Sequence, residues 1–214
     1  MRLLALPERP LALLFDLDST LYSHPAYAAF QTEVLVERLA RERGESVAAL
    51  EAEFARRRAA REAAGLGRTS LGNLFLELGV DIPTSVRWRE ELIDPAAWLA
   101  RDPRLDEALA ALAARFALAL VTNNPRSVGE KSLEALGVRP RFPVVIGLDD
   151  TYRSKPDPAP YALAAERLGV AAEACVSVGD RHDVDLAPAL ALGMGAILVE
   201  AVEDVYALPA ALRT

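Results

Sequence analysis

Apolar residues along the chain occur in two arrangements, as short unbroken runs and as stripes at helical spacing. Five unbroken runs are typical of strands that are buried on both faces of a sheet, and they lie at Leu11–Phe15, Phe116–Val121, Val144–Ile146, Ala174–Val178 and Ala196–Val199. Helical patterns lie between most of these runs, as where Leu105, Leu109 and Leu112 recur on one helix face. Strands that alternate with helices predict an α/β fold with a parallel sheet and helices on both faces.

One connection in this pattern is too long for a simple crossover. From Tyr22 to about Leu99 no strand signal appears, and four successive helical stripes occur instead. The stripes are formed by Phe30, Val34, Leu35 and Leu39, by Val47, Leu50 and Phe54, by Leu71, Leu74, Phe75 and Leu78, and by Trp88, Leu92 and Ile93. We therefore predict an α/β core at residues 1–22 and 100–214, with an all-helical cap at residues 23–99. Such a cap would stand over the carboxyl end of the first strand, where open α/β sheets bind ligands.

The composition excludes several classes of partner. The formal net charge is −7, which argues against nucleic acid or an acidic membrane, because both attract basic surfaces. No stretch approaches the roughly 20 apolar residues that span a bilayer, and the run from Leu3 to Leu6 is too short for a signal-peptide core. We therefore expect a cytoplasmic protein. The single cysteine, Cys175, lies in an apolar run and is expected to be a buried small hydrophobe.

Polar residues that could act as catalysts or ligands lie at the ends of three predicted strands and before one predicted helix. They are Asp16 and Asp18 after the first strand, Thr122 and Asn123 after the second, Asp180, Asp183 and Asp185 after the fourth, and Lys155 before a helix. Each segment taken alone has an ordinary explanation as a turn cap or a surface residue. The carboxyl ends of parallel strands, however, share one edge, which would gather Asp16, Asp18, Thr122, Lys155, Asp180 and Asp185.

The chemistry of this group indicates a metal and a phosphate. Clustered carboxylates need a cation or water to tolerate one another, and carboxylates with water are the ligands that Mg²⁺ prefers. The hydroxyl of Thr122 and the ammonium of Lys155 are suited to phosphate oxygens. The sequence therefore predicts a magnesium and phosphate site at this edge of the sheet.

In this order and spacing the four segments resemble the four motifs of the haloacid dehalogenase superfamily. The resemblance covers the core from Leu11 to about Val199, and the helical insertion lies where that superfamily carries its first type of cap. It implies a Rossmann-like core and a Mg²⁺-dependent phosphatase that acts on a small phosphorylated metabolite. The motifs are specific for the superfamily and say little about the substrate.

The resemblance also implies a role for each matching residue. Asp16 would be the nucleophile that forms an aspartyl-phosphate, and Asp18 the acid that protonates the leaving oxygen and then activates water. Thr122 and Lys155 would bind the transferring phosphoryl group, and Asn123 is a candidate substrate contact. Mg²⁺ would be held by Asp16, the main-chain carbonyl of Asp18, Asp180 and Asp185.

Three further polar residues lie near these motifs. His24 begins the insertion, and we expect a hinge or capping role for it. His182 is expected to be exposed or hydrogen-bonded rather than catalytic. The sequence does not decide whether Asp183 lies in the metal shell or in solvent.

Several alternative functions remain compatible with the pattern. A 2-haloacid dehalogenase of the same superfamily would use Asp16 but has no need of the acid Asp18, and a phosphomutase would hold a sugar phosphate under the cap. A phospho-accepting signalling domain or a binding protein is the alternative of another class. Within the phosphatases, residues 16–22 with a small helical cap resemble pyrimidine 5′-nucleotidase-like and phosphoglycolate phosphatase-like members. A nucleoside monophosphate is thus one candidate substrate, while the oligomeric state is not defined by the sequence.

Overall fold

The structure, a computed structural model, describes residues 1–66 and 69–212 and contains one sheet. Its strands are β1 (Arg2–Ala5), β2 (Ala12–Phe15), β3 (Ala117–Val121), β4 (Val144–Ile146), β5 (Cys175–Gly179) and β6 (Gly195–Leu198). Their spatial order is β1-β6-β5-β2-β3-β4, and every neighbouring pair is parallel except β1 with β6. The predicted parallel α/β sheet is confirmed, and each predicted strand is found to within one residue at either end.

The edge strand β1 was not predicted from the sequence. It pairs antiparallel with β6, with Arg2 opposite Leu198 and an irregular register between Leu3 and Ala5. The side chains of Leu3 and Leu4 are 47% and 40% exposed. Because this strand is largely exposed on both faces, it lacks the burial pattern from which the other strands were inferred.

Ten α-helices lie in the described part of the chain. They are α1 (Pro25–Arg43), α2 (Val47–Ala63), α3 (Leu71–Glu77), α4 (Ile82–Leu92), α5 (Pro103–Ala113), α6 (Arg126–Leu136), α7 (Leu148–Thr151), α8 (Ala159–Leu168), α9 (Ala187–Ala191) and α10 (Val202–Ala211). A π-helical turn, His182–Leu186, directly precedes α9. Helices and strands alternate after β2, as the sequence predicted.

Alternate residues of each central strand enter two separate apolar cores. In β2, Leu13 and Phe15 join a core that includes residues of α5, α6 and α10. Ala12 and Leu14 join the opposite core with residues of α8 and α9. Successive side chains of a strand point to opposite faces, so helices on both faces require the unbroken apolar runs seen in the sequence. Cys175 is fully buried in the second core, as predicted.

Helices α1 to α4 form the long insertion between β2 and β3, and their apolar stripes coincide with the predicted ones. Phe54 of α2 stacks on Phe75 of α3 with ring centroids 6.0 Å apart, and Phe75 meets Trp88 of α4 edge-on. The side chain of His24 caps α1 by accepting a hydrogen bond from the backbone of Tyr27, which confirms its capping role. The assignment of residues 23–99 to a separate cap domain stays a prediction, and residues 67 and 68 of that range lie outside the description.

The described helices show no segment with the length and apolar character that crossing a bilayer would require.

Candidate active site

The register of three central strands brings their polar carboxyl ends together. Phe15 at the end of β2 lies opposite Leu120 of β3 on one side and opposite Val178 of β5 on the other. The residues that follow these strands, among them Asp16 and Thr122, therefore emerge at one edge. Both are almost fully buried, at 4% and 2% exposure.

A lysine lies at the centre of this edge and bridges two carboxylates. The Nζ of Lys155 is 2.5 Å from Oδ1 of Asp16 and 2.7 Å from Oδ1 of Asp185, and it also donates to the carbonyl of Val121 at 3.0 Å. Lys155 and Asp185 have no exposed side-chain surface. A buried ammonium is tolerated only when its charge and donors are satisfied. Asp16, Asp185 and Val121 supply three acceptors for its three protons.

The position of Asp185 is set by the turn that follows β5. Its main-chain carbonyl accepts from Ser177 Oγ at 2.9 Å, and its Oδ2 accepts from the backbone nitrogen of Arg181 at 3.1 Å. A Cβ on Gly179 would lie 2.6 Å from the Cβ of Asp185. Only glycine at that position lets the carboxylate approach the strand end so closely.

Burial and mutual repulsion change the acidity of the three central carboxylates. Burial, helped by the nearby Asp185, raises the pKa of Asp16 to about 7, although Lys155 acts in the opposite direction. Burial also acts to raise the pKa of Asp185, but Lys155 and Arg181 outweigh it and hold that pKa below its ordinary value. Burial raises the pKa of Asp180 to about 6. The site thus holds more negative charge than its cations balance.

The same carboxylates fit a divalent cation. Asp16, Asp180 and Asp185 each present an oxygen within 4.8 Å of the other two. Within the described residues, Oδ2 of Asp16 and Oδ1 of Asp180 are buried without a hydrogen-bond partner, although Arg181 Nε lies 3.6 Å from the latter. Buried oxygens without donors, in a set of hard ligands, are what a cation such as Mg²⁺ binds. The predicted contribution of Asp18 to this site stays a prediction.

Asp18 is held by side chains from both the core and the insertion. Its Oδ1 accepts from the hydroxyl of Tyr22 and from Gln31 Nε2 at 2.8 Å, and its Oδ2 accepts from Asn124 Nδ2 at 3.0 Å. Gln31 lies on α1, and its amide also exchanges hydrogen bonds with Asn124 and Tyr22. The orientation of the proposed acid therefore depends on a contact between the insertion and the core.

Asn124 connects this network to a second residue of the insertion. Its Oδ1 accepts from Arg89 Nη1 of α4 at 3.1 Å. The sequence analysis missed Tyr22, Gln31, Arg89 and Asn124. For Arg89 a signal was present, because it lies between Val86 and Ile93 on the apolar face of its helix, where a charged residue is unexpected.

Thr122 and Asn123, which follow β3, form hydrogen bonds with neighbouring backbone groups. Thr122 Oγ1 accepts a hydrogen bond from the backbone of Asn124 at 3.1 Å. The side chain of Asn123 accepts from the backbone nitrogen of Lys155 at 2.7 Å and donates to its carbonyl at 3.2 Å. Asn123 thus fixes the loop that carries Lys155. Binding of substrate by Thr122 and Asn123 stays a prediction.

The two remaining residues near the last motif lie at the surface. The side chains of His182 and Asp183 are 53% and 49% exposed, and a ring nitrogen of His182 lies 3.1 Å from Asp183. His182 is therefore exposed and hydrogen-bonded, as expected. The exposure of Asp183 favours solvent over the metal shell.

A cavity of about 250 Å³ lies above the polar edge, between core and insertion. Asp18, Arg89, Asn124 and Arg181 are among its lining residues. On one side the cavity is bounded by Ser70, whose hydroxyl is 2.8 Å from that of Ser154 in the loop before Lys155. Residues of both the insertion and the core therefore line the cavity beside the proposed catalytic acid.

The chain matches known proteins in sequence and in fold. Residues 11–193 match the family of haloacid dehalogenase-like hydrolases. Over 89 residues the chain is 44% identical to a phosphoglycolate phosphatase of Escherichia coli (strain K12). The aligned residues cover 41% of this chain and 35% of the relative. The match thus spans about a third of the length of that curated relative.

Two solved structures share the overall fold. A haloacid dehalogenase (HAD) phosphatase from Thermococcus onnurineus is 26% identical with a TM-score of 0.57, covering 88% of this chain and 86% of its own. A 2-haloacid dehalogenase from Pseudomonas syringae is 22% identical with a TM-score of 0.55, covering 95% and 98%. The latter likeness shows the fold alone.

Proposed function

Because the chain belongs to the haloacid dehalogenase-like hydrolases, we propose that it is a Mg²⁺-dependent phosphatase that hydrolyses a small phosphorylated metabolite through an aspartyl-phosphate on Asp16. The observation that carries this proposal is the second carboxyl group, Asp18, which three side chains hold by hydrogen bonds in the lining of the cavity. A phosphatase needs such a group for proton transfer, whereas displacement of a halide does not. The names of the phosphatase relatives agree with this choice.

In the first step an oxygen of Asp16 attacks phosphorus, and the bond from phosphorus to the ester oxygen breaks. Asp18 donates its proton to that oxygen, so the alcohol leaves neutral. Lys155, whose Nζ lies 2.5 Å from Oδ1 of Asp16, counters the charge of the nucleophile. Positioning and charge compensation of this kind supply most of the catalysis in phosphoryl transfer.

In the second step water attacks the aspartyl-phosphate. Asp18, now ionised, accepts a proton from the water, and the bond between phosphorus and Asp16 breaks to release phosphate and regenerate the carboxylate. One carboxyl group can serve both steps because it loses a proton in the first and regains one in the second.

A divalent cation would be held by Asp16 and Asp180 directly. Both oxygens of Asp185 already accept hydrogen bonds, from Lys155 and from the backbone of Arg181, which favours contact through water. When bound, the cation would neutralise negative charge between the nucleophile and the phosphate. The carboxylates Asp16, Asp18, Asp180 and Asp185 would otherwise repel the substrate.

The volume of the cavity that Asp18 lines suits a small substrate. Drug-sized ligands occupy pockets of about 300–1,000 Å³, and the cavity above Asp18 measures about 250 Å³. A phosphorylated two- or three-carbon compound fits this volume. Phosphoglycolate, named for the Escherichia coli relative, is of this size.

The proposal is tested by phosphate release from a panel of phosphate esters with Mg²⁺ present, using wild type and Asp18→Asn. The variant is expected to lose activity on alkyl phosphates by roughly a hundredfold, the usual scale for general acid–base catalysis. The loss should be smaller with p-nitrophenyl phosphate, whose leaving group needs no proton, and phosphate should accumulate on Asp16, detectable by mass spectrometry.

Asp94→Asn is the matched control, since Asp94 is an exposed capping residue of the insertion whose function asparagine can perform. Its rates should equal those of the wild type. Wild-type rates in Asp18→Asn would overturn the acid–base role, and halide release from a 2-haloacid without metal would identify a dehalogenase instead.

A further inference from the structure

Arg89 is a buried cation with no carboxylate to pair with among the residues the structure describes. It lies on α4 with 7% of its surface exposed. Its Nε donates to Ser85 Oγ at 3.4 Å, and its Nη1 donates to Asn124 Oδ1 at 3.1 Å. Both partners are neutral. A guanidinium carries five N–H donors, so most of its hydrogen-bonding capacity is unused.

This arrangement is energetically costly in the absence of a ligand. A buried charge without a counter-charge destabilises a protein by several kcal/mol. Burial accordingly lowers the pKa of Arg89 to about 10, although the charge of Asp18 opposes the change. Methionine or leucine at this position would pack without such a penalty, so the charge itself requires an explanation.

The other arginine of the cavity differs from Arg89 in having counter-charges. Arg181 lies 3.6 Å from a carboxylate oxygen of Asp180 and 3.5 Å from one of Asp185. Within the described chain Arg89 is therefore the cation of this cavity that lacks an ion pair. An anion that enters the cavity would find there a desolvated guanidinium with donors available.

The position of Arg89 relative to Asp18 indicates which part of a substrate it would meet. Both side chains bind the same amide, Asn124, through its oxygen and its nitrogen respectively. In the proposed reaction Asp18 protonates the leaving oxygen, so the alcohol part of the ester lies on this side. Arg89 would then face the alcohol part and not the phosphate.

We propose that Arg89 binds a carboxylate on the alcohol part of the substrate, so that the site selects small phosphorylated hydroxy acids over neutral esters of equal size. The inference rests on the proposed phosphatase function and adds the substrate class to it. A planar guanidinium matches a carboxylate in a bidentate geometry that an ammonium does not reproduce. The small cavity favours a compact group with a single charge.

The test compares two esters that differ in this group, 2-phosphoglycolate and 2-hydroxyethyl phosphate. The wild type should prefer phosphoglycolate in kcat/KM. Arg89→Gln keeps a donor for Asn124 but removes the charge, and its kcat/KM for phosphoglycolate should fall by about a hundredfold, as when a buried charge pair loses one partner. The loss for hydroxyethyl phosphate should be much smaller, so the preference collapses.

Two further variants separate the effect of the charge of Arg89 from effects on folding. Arg89→Lys keeps the positive charge but not the bidentate geometry of the guanidinium, and it should retain part of the preference for phosphoglycolate. Arg87→Gln is the matched control, since Arg87 is an exposed residue of the same helix whose side chain donates to Thr84 and does not line the cavity. It should behave like the wild type on both esters, and thermal melts of all variants report whether they fold.

The outcomes separate this inference from the function on which it rests. Hydrolysis of neither ester by the wild type would refute the phosphatase function. Hydrolysis of both without preference would leave that function standing and refute the carboxylate site. Equal losses on both esters in Arg89→Gln would show that Arg89 acts only by positioning Asn124 and Asp18, which also overturns the inference. If Arg89→Gln does not fold, Arg89→Lys takes its place: a larger loss on phosphoglycolate than on hydroxyethyl phosphate supports the inference, and equal losses on both esters overturn it.

Discussion

Replacement of Asp16 by asparagine is expected to abolish activity and at the same time to stabilise the metal-free protein. Asp16 is buried beside Asp185, and Lys155 is the one ammonium that both carboxylates share. Removal of one charge leaves a single carboxylate paired with a single ammonium. Asparagine has nearly the same shape, and its side-chain oxygen can still accept from Lys155.

The size of the effect follows from the acidity of Asp16. Its pKa rises from an ordinary 3.8 to about 7 in the folded protein, so ionisation above pH 7 costs folding about 4 kcal/mol. Loss of the charge-assisted bond from Lys155 offsets roughly 1 kcal/mol of the gain. A net gain of about 3 kcal/mol corresponds to roughly 6–12 °C in melting temperature for a chain of this length.

The stability gain of Asp16→Asn is expected to depend on pH. A carboxyl group whose pKa is raised by folding destabilises the folded state at every pH at which the unfolded chain ionises that group. The penalty is absent below pH 3.8, grows as pH rises toward 7 and is complete above that value. The advantage of Asp16→Asn should therefore be full at pH 8 and small at pH 5.

The assay is a thermal melt of wild type, Asp16→Asn and the exposed control Asp94→Asn, at pH 5 and pH 8 with a chelator. A stability gain that is equal at both pH values, or a loss at pH 8, would refute the reasoning about buried charge. Addition of Mg²⁺ should stabilise the wild type more than Asp16→Asn, because a ligand that binds only the folded state raises its stability.

Two further predictions concern the same carboxylates. A chelator is expected to abolish phosphate release and added Mg²⁺ to restore it, whereas Ca²⁺ should inhibit because of its larger and more flexible coordination shell; unchanged turnover in excess chelator would contradict the metal role. Lys155→Met should lower the free energy of unfolding by about 3–5 kcal/mol in urea titrations, since it leaves Asp16 and Asp185 buried without their cation. The exposed control Arg153→Met should change it by less than about 0.5 kcal/mol.

The contacts of Asp18 couple catalysis to the helical insertion. Two of its three hydrogen-bond partners, Tyr22 and Asn124, belong to segments that flank the core strands, and the third, Gln31, lies on α1. Movement of the insertion would therefore change the surroundings of the proposed acid. A substrate that closed the insertion over the core would therefore also complete the surroundings of the proposed acid.

Local pattern in the sequence was enough to locate the strands and to group the principal candidate site residues. An unbroken apolar run reports that both faces of a strand are covered, and it does so without knowledge of the neighbours. The parallel arrangement then requires the ends of β2, β3 and β5 to share an edge. Asp16, Thr122 and Asp180 could be grouped on this basis. The burial of Cys175 followed from the same pattern.

The tertiary structure alone decided how these residues interact. Lys155 is joined to Asp16 across 139 positions of sequence, and Asn124 to Asp18 across 106, distances at which no local periodicity carries information. Edge strand β1 escaped detection because exposed strands have no burial pattern. The role proposed for Arg89 likewise depends on the fold, which places this charged residue of an apolar helix face at a cavity. Hydrophobic spacing determines which surfaces are buried, but the pairing of polar groups depends on which distant segments those surfaces bring together.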